Sequence, residues 1–466
     1  MGFLPVLLPT DVLLWLLVAA LAGYFAYCRR RPHLAAPWVR VLKSRAAIVS
    51  LVLLAGYGVV GLADSLHFRR ALPPAGPGDA TAYSPEVLSV LDLALAHLRH
   101  STEKTYSAPL ATRLFVREEI EMPDGRVLRD YPRLRFGGAQ LASEADRGAD
   151  VARRTLAGLA GAALLWGLLG FALRPLRRRF PEVPWGPGYV TLGAMLALAG
   201  PAFALSLGYH VLGTDKVGQD VLYLSLKSIR TSLVIGTLTT LVMLPLGAML
   251  GVAAGYFKGW VDDLIQYLYT TLNSIPAVLL IAAFILMMQV VIERHAEWFP
   301  TAAQRADVRL LLLCAILGVT SWTGLARLLR GEALKLGELE YVQAAHGFGV
   351  SHLRILTRHM LPNVAHIIII SLVLDFSGLV LAEAVLSYVG VGVDPATTSF
   401  GTMINAARLE MAREPIVWWS LASAFGFLLV LVLAANLFAD AVRDGFDPRV
   451  RIGLAAARRA AKEAAA

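Results

Sequence analysis

The chain has 466 residues, 57% of them hydrophobic and 17% charged, with a mean hydropathy of +0.60. That is too apolar for a soluble globular domain and belongs to the polytopic membrane class. A net charge of +9 is then better explained by Lys and Arg collecting in short cytoplasmic loops than by nucleic-acid binding, and Cys28 and Cys314, both in apolar stretches, offer neither a disulfide framework nor a thiolate metal site.

Runs of about 20 apolar residues, the length that crosses a bilayer, fall at 11–28, 46–63, 155–173, 188–208, 229–255, 262–288, 308–327, 364–388 and 416–439. They predict an all-α polytopic membrane protein with about nine transmembrane helices. The first run has no basic residue before it and no small-residue cleavage site after it, so it reads as a retained span. Arg29, Arg30, Arg31, Arg40, Lys43 and Arg45 mark the first connection as cytoplasmic, and Arg174, Arg177, Arg178 and Arg179 mark the third. The amino terminus is expected outside. Lys258, the segment from Arg327 to Arg358 and the tail with Arg443, Arg449, Arg451, Arg458 and Arg459 are expected inside.

Residues 1–63 form a predicted transmembrane hairpin, and 64–152 a small extracytoplasmic α+β insertion. The insertion opens on a Pro73–Gly78 linker and continues with a helical pattern from Pro85 to about His100. A hairpin-like stretch follows, in which Leu114–Met122 and Arg126–Arg135 flank Pro123-Asp124-Gly125. No catalytic constellation stands in it, which favours a packing or docking module. Two more spans occupy 153–208.

Gly213, Thr214, Asp215, Gly218 and Asp220 suit a polar turn leading into a short amphipathic helix on the outer surface. Pro276 interrupts an apolar run and is expected to kink it beside Asn273 and Ser274, where a path could be lined. Asp375 and Glu383 lie inside another apolar run, where an ionisable group is costly unless it meets water or a partner. Eight residues apart, they fall within about 80° of each other on a helix, so both are candidates to face a translocation pathway.

Residues 332–363 are amphipathic and lie between two apolar runs. Leu339, Val342, Ala344 and Ala345 fall near one side of a helix and Glu338, Glu340 and Gln343 on another, with Gly347 and Gly349 placed to end it. His346, His352, His359 and His366 are spaced by six or seven and have no carboxylate cluster, so no metal site is expected. A phosphate-cradling GxxxxGK[ST] loop needs a Gly-Lys dipeptide, and the sequence has none.

The segment Gln343-Ala344-Ala345, three residues, Gly349, then Leu361-Pro362 resembles the cytoplasmic loop of ABC-importer permeases, with Gln343 in place of the usual Glu and His359 in place of Ile. His210-Val211-Leu212-Gly213-Thr214-Asp215 through Gly218-Gln219-Asp220 is similar to a segment of the C-type permease in the dipeptide, oligopeptide and nickel importer family, with Gln219 for Arg. The likeness continues through Ala254–Asp262, Ser274-Ile275-Pro276, Leu381–Ala384, Ser399-Phe400-Gly401 and Asp440 to Asp447-Pro448-Arg449, covering about 209–450 in order. The resemblance implies a type I permease core at 209–450 in a bacterial inner membrane, a coupling loop at 328–363 and a cytoplasmic tail at 451–466. The second span of 153–208 would stand for the family's first, with the spans before it an addition.

It further implies a permease without its own ATPase site. The expected partners are a second homologous permease, two ATPase subunits carrying ATP and Mg, an extracytoplasmic substrate-binding protein and the lipid bilayer, with peptides the family's commonest cargo. Glu340, Gln343, Ala344, Ala345, Gly349, Leu361 and Pro362 would couple to the ATPases, with Leu361-Pro362 stopping a helix. A secondary transporter would instead show repeated halves with broken helices and paired intramembrane charges. A membrane sensor or adaptor would use the outer domain directly.

Overall fold

The structure, a computed structural model, describes residues 2–72, 82–121, 127–299 and 301–446. The Pro73–Gly78 linker, the Pro123-Asp124-Gly125 turn, Asp447-Pro448-Arg449 and the basic tail beyond lie outside them.

Strand β1 (Phe3–Val6) leads into α1 (Pro9–Arg29), the amphipathic α2 (Pro32–Lys43) and α3 (Arg45–Asp64). Strands β2 (His67–Arg70) and β3 (Leu88–Ser89), short helices α4 (Val90–Ala94) and α5 (Ala96–His100), and the antiparallel pair β4 (Glu118–Glu121) and β5 (Val127–Asp130) build the module expected outside, called the outer module below. The chain then runs through α6 (Arg147–Ala172), α7 (Arg174–Arg179) and α8 (Trp185–Ser206) into α9 (Val221–Phe257). Helices α10 (Gly259–Ser274), α11 (Ala277–Arg294), α12 (Ala302–Ser321), α13 (Thr323–Gly337) and α14 (Glu340–Gly347) follow. The last group is α15 (His352–Ile355), α16 (Leu361–Val389), α17 (Phe400–Glu410) and α18 (Trp419–Phe446).

Among the described residues, nine helical segments are long and apolar enough to cross a membrane, as the hydropathy pattern predicts. Several boundaries differ from the expected ones. The run at 262–288 is not one kinked helix: α10 stops at Ser274 and α11 restarts at Ala277, because Pro276 lacks the N–H that would continue the ladder. The turn around Asp215 opens no short amphipathic helix, since Asp220 caps the 37-residue α9 directly, its Oδ1 accepting from the amides of Leu222 and Tyr223 at 2.8 and 3.2 Å. The helical pattern at 85–100 resolves into a bend, β3 and two short helices, where Ser89 and Asp92 form a capping box. The expected hairpin is present, with strands shortened to β4 and β5.

The sequence pattern does not anticipate β1. It pairs antiparallel with β2, Phe3 opposite Arg70 and Val6 opposite His67, so the amino-terminal residues join the sheet that follows α3. This places the amino terminus and the outer module on one side of the bundle.

The bundle is held by α9. Gly247, Gly251 and Gly255 line one face of it at spacings of four, and α13 packs against that face closely. A Cβ at Gly251 would lie 2.6 Å from the Ala326 carbonyl oxygen, so only glycine lets the two backbones approach in this way. At the α14 end Met243, Leu329, Val342 and Ile355 share one apolar cluster. Nearer the outer module, Tyr106, Val221, Phe400 and Trp419 share another.

Candidate functional site

The segment expected to couple to ATPases folds as the short helix α14 with two different faces. Val342 is buried in the apolar cluster that also holds residues of α9 and α13, and Ala345 is half-buried, while Glu340, Gln343 and Ala344 are exposed. Leu339 and Ala344, both expected on the apolar side with Val342, are exposed instead, Leu339 because it occupies the cap before the helix begins. The helix ends at Gly347, and Gly349 takes φ +72° with open space around it. Phe348, between them, is 88% exposed, an aromatic ring on offer at the tip of the loop. Lys258 and Glu338 (2.7 Å) and Tyr256 and His352 (2.8 Å) tie the loop to the end of α9. The Lys258 ammonium holds the Glu338 carboxyl below its usual range.

Leu361 and Pro362 do not stop a helix. A π-helical turn at Leu356–Met360 precedes them, and Pro362 sits in the first turn of α16, where its missing N–H is harmless. The result is one segment from His352 to Val389 long enough to span a membrane.

The Gly213–Asp220 turn is a seam between the outer module and the bundle. Thr214 Oγ1 accepts from the Ser107 amide at 2.6 Å and donates to the Thr105 carbonyl at 2.9 Å, and its own carbonyl accepts from Trp419 Nε1 at 2.9 Å. Asp215 Oδ1 closes the turn by accepting from the amides of Val217 and Gln219 at 3.0 and 2.8 Å. Gly218, at φ +77°, lies so close to the module that a Cβ would sit 1.9 Å from the Glu103 carbonyl oxygen.

The buried His210 ring binds Asp220 through Nδ1 at 2.8 Å and Glu103 through Nε2 at 3.4 Å. Glu103 also accepts from the amides of Arg135, Phe136 and Gly137 at 2.8, 2.7 and 3.1 Å. Burial opposes charge on both groups. The hydrogen bonds to Asp220 and Glu103 nevertheless carry the His210 ring up to about 9, and those from His210 and the three amides hold the Glu103 carboxyl down to about 2.

Asn273 and Pro276 are exposed at the α10–α11 break, where Asn273 Oδ1 accepts from Thr323 Oγ1 at 3.1 Å. Asp375 is half-buried on α16. Glu383 is not beside it on an open face. It is 1% exposed, and its Oε1 accepts from Ser387 at 2.6 Å and from Ser399, the cap of α17, at 2.9 Å. Through Oε1 this carboxylate ties α16 to the cap of α17, while Oε2 is buried without a partner among the described residues.

A buried ion network absent from the sequence expectations joins the first spans to the bundle. Arg230 on α9 donates from Nη2 to Asp11 Oδ1 at 2.6 Å and to Thr10 Oγ1 at 3.0 Å, and Asp307 of α12 lies 3.5 Å away. Thr10 also donates to both oxygens of Asp307, its amide doing so at 3.0 Å. One turn earlier on α9, Lys227 reaches Asp64 at 2.7 Å and Asp92 at 3.1 Å. These partners come from α1, the end of α3 and the outer module, so the leading region is built into the bundle.

The chain is 31% identical over 306 residues to the oligopeptide transport system permease protein OppC of Mycobacterium tuberculosis, covering 65% of this chain and 94% of that protein. Residues 247–452 match the family described as binding-protein-dependent transport system inner membrane component. The chain belongs to that family. It is also 32% identical over 244 residues to the glutathione transport system permease protein GsiD of Pectobacterium atrosepticum, which covers 52% of this chain and 73% of the relative. With the dipeptide transport system permease protein DppC of Lactococcus lactis it shares 31% identity over 240 residues, 52% of this chain and 64% of the relative. It is therefore a multi-pass permease subunit of a binding-protein-dependent importer. The family match begins within α9, so Arg230, Lys227 and all their partners except Asp307 precede it.

Proposed function

We propose that this permease imports peptides, paired with a second homologous permease, fed by an extracytoplasmic substrate-binding protein and driven by two cytoplasmic ATPases that carry ATP and Mg. Peptide cargo is supported by the oligopeptide, dipeptide and glutathione transport named for its relatives. The chain supplies no ATPase site of its own: its sequence lacks a Gly-Lys dipeptide. The amino terminus and residues 64–152 lie outside and the coupling loop inside, an orientation supported by the basic short loops.

The observation that carries the mechanism is α14, wet and exposed at Glu340, Gln343 and Ala344 but rooted in the core at Val342. Closure of the ATPases pushes on this helix, and Val342 passes the push to the α9–α13 pair. The bidentate contacts from Arg330 of α13 to Asp262 of α10, 2.5 and 2.6 Å long, carry it on toward the break at Pro276. Asn273, Pro276 and Asp375 belong to the pathway, where Asp375 receives the amino group of a peptide.

Replacing Gly349 tests the coupling. A β-branched side chain is strained at φ +72°, so Gly349→Val is expected to leave the chain in the membrane while peptide uptake and ATPase co-purification fall. Unimpaired uptake of a labelled tripeptide pool by that variant would refute the coupling role.

A further inference from the structure

We propose that the leading region of this permease carries a docking face for anionic phospholipid headgroups, formed where the α1–α3 connection meets the α6–α8 connection. Residues 29–45 contain six Lys and Arg and no acid, and residues 174–182 contain four Arg and one acid, Glu182. Ten cations against one carboxylate leave an excess of nine, equal to the net charge of the whole 466-residue chain, so the remaining sequence is balanced.

The fold merges the two loops into one face. Lys43 Nζ meets Glu182 Oε2 at 2.7 Å, and behind them Gly188 of α8 packs against Ile48 of α3. Among the described residues that is the one ion pair in either loop, and the four arginines of 174–179 are exposed. Arg40, half-buried, leaves Nη1 shielded with no acceptor among the described residues. An external anion is what this arrangement lacks.

Position selects the anion. Both loops directly follow one apolar span and precede another, which sets their cations at headgroup depth. Arg31, Arg174 and Arg179 lie 5.0, 4.9 and 6.0 Å from the ring centres of Tyr27, Phe171 and Phe180, aromatics that are themselves exposed. These rings stand at or near the ends of the spans and would hold the guanidinium groups level with phosphodiesters. An acidic protein segment would be better met by cations raised clear of the membrane than by cations set at the ends of two apolar spans.

The test is native mass spectrometry of the full-length chain from detergent containing equal phosphatidylglycerol and phosphatidylcholine. Phosphatidylglycerol adducts should predominate and weaken with salt. The triple variant Arg177→Gln, Arg178→Gln, Arg179→Gln should lower the preference at least tenfold, given about fivefold per cation, while a triple Arg→Lys variant retains it. Should the Gln variant fail to fold, the wild-type preference and its salt dependence still decide. Equal retention of the two lipids overturns the proposal, as does a folded Gln variant with wild-type preference. Binding of poly-glutamate without any phosphatidylglycerol preference would assign the face to an acidic protein instead and also overturn it.

Discussion

Arg230 and Asp11 stand 219 residues apart in the chain, and the guanidinium Nη2 of one meets the carboxylate of the other at 2.6 Å inside the protein. Through this contact α1 holds the outer end of α9, and through Thr10 and Asp307 it also holds α12.

Removing the Asp11 charge should therefore loosen the whole outer end. Asp307 remains 3.5 Å from Arg230, so Asp11→Asn is expected to cost about 2–3 kcal/mol, at or below the low end of the range for an orphaned buried charge. Thermal unfolding of the purified chain in detergent would report it as a midpoint several degrees lower. A triple variant that also carries Arg230→Met and Asp307→Asn, leaving none of these three charges buried, should recover part of the loss. An unchanged midpoint for Asp11→Asn would mean that the clamp contributes nothing.

The seam at His210 predicts an alkaline weakness. Its folded-state value of about 9 exceeds the ordinary 6.5, so its contribution is full below about 6.5 and is lost as pH rises through 9. Glu103 has the opposite sign: held at about 2 against an ordinary 4.5, it contributes above about 4.5 and loses that contribution only as pH falls toward 2. Between pH 7 and 10, hydrogen exchange at the amides of Arg135, Phe136 and Gly137 should accelerate beyond its intrinsic pH dependence. His210→Gln should abolish that excess, and its persistence in the variant would place the cause elsewhere.

Glu383 separates a structural carboxylate from a pathway one. Glu383→Gln keeps an acceptor for Ser387 and Ser399 and should fold and transport close to normally, whereas Glu383→Leu takes the acceptor from two buried hydroxyl donors at about 1–3 kcal/mol. Transport lost in a stably folded Glu383→Gln protein would return this residue to the pathway.

The spans were legible because apolar length is a strong signal, and α14 was legible because Val342 and Ala345 recur at helical spacing and glycines stand at its end, Gly347 closing it. Pro362 misled because proline reads as a stop until the preceding π turn is seen to carry the helix into it. The ion network was missed although its signal was present: Asp11 and Arg230 both fall at the ends of predicted apolar runs, and a charge there implies a partner. Which partner could not be read, since pairing across 219 residues is decided by tertiary packing. β1 was invisible for the same reason, as four residues acquire strand geometry only by lying against β2.

The most direct test of the coupling claim is a photo-crosslinking amino acid at position 348, the 88% exposed tip of the loop, in cells expressing the whole transporter. We predict that it captures a nucleotide-binding ATPase, and that the yield changes when nucleotide is trapped. Capture of the extracytoplasmic binding protein, or of no ATPase at all from an intact transporting complex, would contradict the account.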